Sequence, residues 1–137
     1  MTFLLDTNVV SEPSKAVPDE ILVAKLKIHE RDCAIATVVW HELLYGVSRL
    51  AEGKKKNALK QYLSKVVAPA FPLLPYDSKA AVWHADERVR LTKEGRPPSF
   101  VDAQIAAIAA INNLTLITRN VKDFKRFKGL RVENWFA

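Results

Sequence analysis

One cysteine, Cys33, in 137 residues leaves nothing to pair with in an internal disulfide and no thiolate cluster for zinc. Glycine is equally scarce. The four glycines, at 46, 53, 95 and 129, form neither a phosphate-cradling loop nor a dinucleotide fingerprint. No Gly-x-Ser-x-Gly elbow is present, which removes one common hydrolase signature. His41-Glu42-Leu43-Leu44-Tyr45 begins like a zinc-protease helix but has tyrosine where the second histidine must stand. The longest apolar run, Ile105 to Ile111, falls far short of the ~20 residues that a membrane helix needs. The first residues carry neither the basic start nor the small-residue cleavage site of a secretory signal. A cytoplasmic protein is expected, with no membrane partner.

What is present describes one ordinary domain over residues 1–137. Hydrophobic residues make up 49%, enough for a real core, and charged residues 26%. The net charge of +6 is unevenly spread. Residues 1–50 hold 5 Lys/Arg against 7 Asp/Glu, residues 51–100 hold 10 against 5, and residues 101–137 hold 6 against 3. Basic surface with a few acids kept apart from it points to a polyanion such as nucleic acid. Plain solubility explains the charge equally well, and charge says nothing about fold.

The patterning alternates strands and helices. Phe3-Leu4-Leu5 is an apolar run without a polar break, as in a strand buried on both faces. Asp6 ends it, and Thr7 to Ser11 read as the turn into a helix. Asp19 caps a helix over about 20–29, and Cys33 to Ala36 form a second buried strand. Thr37 is expected to cap a helix running to about Glu52, with Gly53 as its stop. In that helix Val39, Leu43, Gly46, Val47 and Leu50 share a face, and Glu42 lies on its flank, where it can reach a cleft. A further amphipathic helix opens at Lys54, and Leu73-Leu74 suits a third strand among prolines. Asp77 or Ser78 starts a long helix to about Glu94. The apolar helix 101–111 follows, then a strand over 114–118, a basic turn over 119–128 and an edge strand near 130–132. Such alternation predicts an α/β fold: a three-layer α/β/α domain with a mainly parallel sheet.

Four acids then draw the eye, each with an ordinary explanation. Asp6 suits a helix N-cap, and Glu42 a solvated helix face. Asp102 completes a capping box begun by Ser99, and Asp123 sits among Arg119, Lys122, Lys125 and Arg126 as if in surface ion pairs. As a group they are harder to dismiss. Asp102 is the only ionisable residue between Arg96 and Arg119, at the head of a helix fit for burial. Carboxylates at adjoining strand and helix ends repel unless protonated or bridged by a cation. Oxygen ligands without cysteine favour Mg²⁺ or Mn²⁺ over zinc.

The segments that carry these acids are Leu5-Asp6-Thr7-Asn8, Glu42-Leu43-Leu44-Tyr45-Gly46, Asp102-Ala103-Gln104-Ile105-Ala106 and Thr118-Arg119-Asn120-Val121-Lys122-Asp123-Phe124. With the closing Gly129-Leu130-Arg131-Val132-Glu133-Asn134-Trp135, they run through nearly the whole chain in order. In them the chain resembles the PIN-domain family, and within it the VapC-like toxins of bacterial toxin–antitoxin modules. Asn8-Val9-Val10-Ser11-Glu12-Pro13 is similar to the FitB-type branch.

The resemblance implies a Mg²⁺-dependent endoribonuclease, with Mn²⁺ able to substitute, held silent by a cognate VapB-like antitoxin. It implies operator DNA reached only through that antitoxin, and a homodimer meeting along the helices between Thr37 and Ala68. Asp6, Glu42 and Asp102 match the family's acidic metal-binding positions. For the fourth, some members have an acid directly after Thr-Arg, where this chain has Asn120, while Asp123 comes three residues later. Thr7, Asn8, Thr118 and Asn120 are supporting hydrogen-bonders. Arg88, Arg90, Arg96, Arg119 and Lys122 are candidates to grip RNA phosphates. Two other readings stay open: a nuclease of RNA processing or of DNA, and a regulatory subunit whose catalysis is incidental.

Overall fold

Phe3-Leu4-Leu5 forms the central strand of a five-stranded sheet. The computed structural model describes all of Met1–Ala137. Along the chain it has β1 (Phe3–Leu5), α1 (Thr7–Ser11), α2 (Glu20–His29), β2 (Cys33–Ala36), α3 (Thr37–Ser48) and α4 (Lys54–Tyr62). There follow α5 (Ala68–Ala70), β3 (Leu73–Leu74), α6 (Ser78–Lys93), α7 (Phe100–Ile111), β4 (Thr115–Ile117), α8 (Val121–Phe124) and β5 (Val132–Glu133). No helix is long and apolar enough to cross a membrane.

Every strand pairing is parallel, in the order β3-β2-β1-β4-β5, as expected of a sheet between helical layers. Leu4 stands opposite Ala34 on one side and Leu116 on the other, and all three are fully enclosed. They belong to one core of 29 buried hydrophobic residues. In α7, Ala103, Ala106, Ala107 and Ala109 are all buried, and their small side chains let α6 and the sheet approach closely. The order also sets the site. From β1 the chain moves outward through β2 to β3, then returns to the other side of β1 for β4. Neighbouring connections therefore leave in opposite directions at β1 and β4, opening a crevice beyond their carboxyl ends.

Local signals hold at most helix starts. The side chains of Asp19, Asp77 and Ser99 accept from the first-turn amides of α2, α6 and α7. The reading of α3 needs two corrections. Thr37 is its first helical residue and Ala36 precedes it without a side-chain cap, while the helix ends at Ser48 rather than near Glu52. The stop comes from elsewhere in the chain. Buried Lys56 sends its Nζ to the Ser48 carbonyl at 3.1 Å and to Glu52 Oε1 at 2.8 Å, placing a cation on the open helix end. Gly53 instead starts α4, at φ 154°, a backbone angle that a side chain would strain.

Between α4 and α5 the helix widens into a π turn over Leu63–Val67. Pro69 explains it: a proline ring clashes with the carbonyl four residues back in α geometry, and a π turn moves that carbonyl away. Just before it, the Tyr62 hydroxyl donates to the Val10 carbonyl at 2.6 Å, tying this helix to α1.

Candidate active site

Asp6 leaves β1 at the crevice and is 6% exposed. Its backbone N–H still donates to the Ile117 carbonyl of β4 at 2.9 Å, so the residue is fixed between the two strands that form the crevice. One carboxylate oxygen caps α1, taking the Thr7 amide at 2.8 Å. The other accepts from the Thr118 hydroxyl at 2.8 Å and the Asn8 amide at 3.3 Å. Thr118 directly follows β4 and is wholly buried; its hydroxyl also takes the Asn120 backbone N–H at 3.0 Å. Asn8 uses its other end to accept the Arg119 backbone N–H at 3.1 Å. Thr7, Asn8, Thr118 and the Asn120 main chain are thus a hydrogen-bonded setting for Asp6.

Around Asp6 stand the other acids. Glu42, on the flank of α3, is half-buried and faces the Thr7 hydroxyl at 3.4 Å. Asp102 occupies the first turn of α7, its amide bonded to Ser99 Oγ at 3.1 Å, and is half-buried as well. Asp123 is exposed on α8. Burial lifts the Asp6 carboxyl above the ordinary range, against three hydrogen bonds that favour its charged form. Glu42 is raised by burial and then by the charges of Asp6 and Asp102. Asp102 is raised by burial and then by Asp6 and Asp123. Glu42 and Asp102 thus both lie within reach of the Asp6 charge, and Asp102 also within reach of Asp123.

None of the four is in an ion pair. All five salt bridges in the protein involve other acids: Glu12, Glu52, Glu87 and Glu94. The surface ion pair expected for Asp123 is absent, and Arg126 meets only its backbone carbonyl. No three Asp, Glu, His or Cys side chains close into a cage.

Among the candidate phosphate grips, Arg90 must be withdrawn. Its Nε and Nη2 donate to Glu87 at 2.8 Å each, Nη2 also reaches the Arg126 carbonyl, and Nη1 donates to Glu94 at 3.3 Å. Arg96 leans on Glu94 at 2.9 Å but stays exposed. Arg88, Arg119 and Lys122 have no ion pair. His84 takes no part: it is buried, with Nδ1 against the Tyr76 hydroxyl at 2.8 Å, and burial lowers its pKa. Glu12, assigned no role of its own from the sequence, is also buried, accepts from the Asp19 amide at 2.8 Å and pairs with Lys15 at 2.9 Å. Nothing in its local sequence separates it from a solvated acid. Beside Glu42 a groove of about 510 Å³ runs between α1, α3 and α4, lined by Thr7, Leu43, Val47, Leu59 and Lys55 among others.

The structure therefore has an open parallel sheet with unpaired carboxylates at its reversal point, in a chain of net charge +6. Comparison with known proteins narrows this. The family model described as "PIN domain" matches residues 3–130. Toxin FitB of Neisseria gonorrhoeae is 37% identical over 124 residues, covering 88% of this chain and 89% of that one. Ribonuclease VapC2 of Rickettsia felis is 30% identical over 136 residues, 98% of each. The structure of VapBC2 from Rickettsia felis, bound to a DNA fragment from its promoter, matches with a TM-score of 0.85 at 30% identity, covering 98% of this chain and 99% of that one. A member of the VapBC family of toxin–antitoxin systems, VapBC-5 of Mycobacterium tuberculosis, matches at 0.70 and 29%, covering 99% and 98%. The chain belongs to the PIN-domain family, in its FitB- and VapC-like group.

Proposed function

We propose that this chain is the endoribonuclease toxin of a toxin–antitoxin module, dependent on Mg²⁺ or Mn²⁺ and silenced by a cognate antitoxin. The observation that carries the reading is the set of crowded, unpaired acids at the crevice of a chain with 21 basic residues. The names of its relatives supply RNA as substrate and an antitoxin as partner.

Asp6 and Asp102 would hold the cation most directly, with Glu42 completing the set and Asp123 rather than Asn120 supplying the fourth charge. Asp123 is favoured because Asp102 feels its charge, whereas Asn120 meets the cluster only through a backbone N–H. Such a cation supplies an acidified water and positive charge against the phosphate. The chain's own residues do the positioning. Thr118, Asn8 and the Thr7 amide fix both Asp6 oxygens, so the carboxylate cannot rotate away. The Thr7 hydroxyl steadies Glu42. Arg88 and Lys122 offer positive charge to neighbouring phosphates. The groove beside Glu42, apolar with lysines, suits a segment of the antitoxin. Leu44, Val66 and Leu73 remain exposed on α3, the π turn and β3, and suit contact with a second copy of the chain.

The decisive experiment is cleavage of unstructured RNA, structured RNA and DNA of matching sequence by purified protein free of antitoxin. RNA cleavage that EDTA stops and Mg²⁺ or Mn²⁺ restores is expected. Cleavage of DNA alone, or cleavage indifferent to EDTA, would overturn the reading.

A further inference from the structure

We propose that Arg119 and Phe136 together form a subsite that grips a phosphate of single-stranded RNA next to the one being cleaved. The proposal rests on the ribonuclease reading above and adds a residue pair to it, one member of which lies in the C-terminal segment. The guanidinium of Arg119 lies on the Phe136 ring with its central carbon 3.8 Å from the ring centroid. The other arginine–aromatic pairs are looser: Arg88 over Phe100 and Arg49 over Tyr45 at 5.6 Å, Arg126 over Phe127 at 5.8 Å. Only Arg119 comes within 4 Å of its ring centroid.

The base of this arginine is tied to the acids. Its backbone N–H is held by Asn8 Oδ1, and the same Asn8 donates to Asp6. The ring beneath it is fixed as firmly. The Phe136 amide bonds to Asn134 Oδ1 at 2.8 Å, the Ala137 amide bonds to Asp19 Oδ2 at 3.0 Å, and Trp135 packs against Phe3 and His29. The segment is therefore anchored without the arginine, so the stack is not needed as a tether. What the stack does is restrain a long side chain that would otherwise lose rotamer freedom on binding.

The guanidinium is nonetheless chemically free. It is exposed, and none of its side-chain N–H groups has an acceptor in the chain. The acids that feel its charge, Glu12 and Asp19, are already occupied. Glu12 takes Lys15 and the Asp19 amide, and Asp19 takes the amides of Ile21, Leu22 and Ala137. One face of the plane is covered by Phe136 and the in-plane N–H edge is open. That edge matches the paired oxygens of a phosphate, and the covered ring face is closed to a base.

The test uses the full-length protein and a fluorescein-labelled, unstructured 12-nucleotide RNA. Binding is read by anisotropy in an Asp6→Asn background across a salt series, and cleavage kinetics are read in the otherwise unchanged enzyme. Arg119→Ala should weaken binding about 10-fold and reduce the slope of log affinity against log salt by about one ion. In cleavage the loss should fall on KM rather than kcat, because a flanking phosphate is held alike before and during reaction. Arg119→Lys, which keeps the charge but not the plane, should retain the salt slope and still weaken binding. Phe136→Leu, with melting temperature checked against the parent, should weaken binding at an unchanged slope. Should Arg119→Ala bind like the parent while the unaltered enzyme cleaves RNA, the subsite is wrong and the ribonuclease reading stands. Loss with Arg119→Ala but none with Arg119→Lys or Phe136→Leu would make Arg119 an ordinary surface charge and overturn the pair. An unaltered enzyme that cleaves no RNA would instead remove the reading beneath both.

Discussion

Glu87 and Asp6 are both buried acids, at 7% and 6% exposure, yet the fold treats them in opposite ways. Glu87 accepts from Nε and Nη2 of Arg90 and from the Lys128 amide, and this company holds its pKa below the usual glutamate range. Asp6 receives neutral donors only, burial raises it, and its charge helps raise Glu42 and Asp102. Of the three buried acids, Glu12 and Glu87 are paired with a basic residue, whereas Asp6, at the crevice, is not. The lesson is that an acid's partners, rather than its depth, separate a clasp from a site.

That contrast can be broken at several points. The largest effect is expected at the crevice. Asp6→Asn should lower RNA cleavage by about 10³-fold, roughly 4 kcal/mol in the barrier, with circular dichroism unchanged. Cleavage that survives intact would remove Asp6 from the site. At the clasp the effect is on stability instead. Glu87→Ala leaves Arg90 without its partner and should cost about 3 kcal/mol in urea unfolding while sparing cleavage by the remaining folded enzyme. The clasp also has a pH signature. Glu87 binds its proton more weakly in the native state than in the unfolded chain. Its contribution is therefore complete above the ordinary value of 4.5 and is lost as pH falls below that, through the depressed native value. Glu87→Gln should flatten this acid limb in melts from pH 6 to pH 3.

Smaller effects concern the unpaired acids. Saturating Mg²⁺ or Mn²⁺ should raise the melting temperature by about 3–5 °C through binding to the native state alone, and Asp102→Asn should abolish the rise. A rise that persists undiminished in this variant would place the ion elsewhere. Without divalent ions the same substitution should stabilise the protein at pH 7, though by only about 0.5 kcal/mol. Relief from burial and from two like charges is partly offset by losing a negative charge in the first turn of α7. A fall in stability would mean that repulsion at the rim is weaker than the helix contribution.

Much of this was legible from the residues. The apolar runs at Phe3–Leu5 and Cys33–Ala36 announce buried parallel strands, and capping residues mark α2, α6 and α7. The acids stood out because Asp6 closes a strand and Asp102 is alone in a long uncharged stretch. Other features are written in no local pattern. Lys56 ends a helix it does not belong to, and the Glu87–Arg90 pair takes its third member from position 128. Arg119 and Phe136 lie in unrelated segments. Periodicity reports which side of a helix faces inward, whereas these contacts are settled only when the elements dock.

The strand order has one more consequence. β1 is made first on the ribosome, but its partner β4 and the last strand, β5, come from the final quarter of the chain. Thr118 cannot meet Asp6 until that quarter has been translated, and it is then held in turn by the Glu133 carbonyl. Until that segment is present, Asp6 lacks both the Thr118 hydroxyl that holds one of its oxygens and the Ile117 carbonyl that holds its amide.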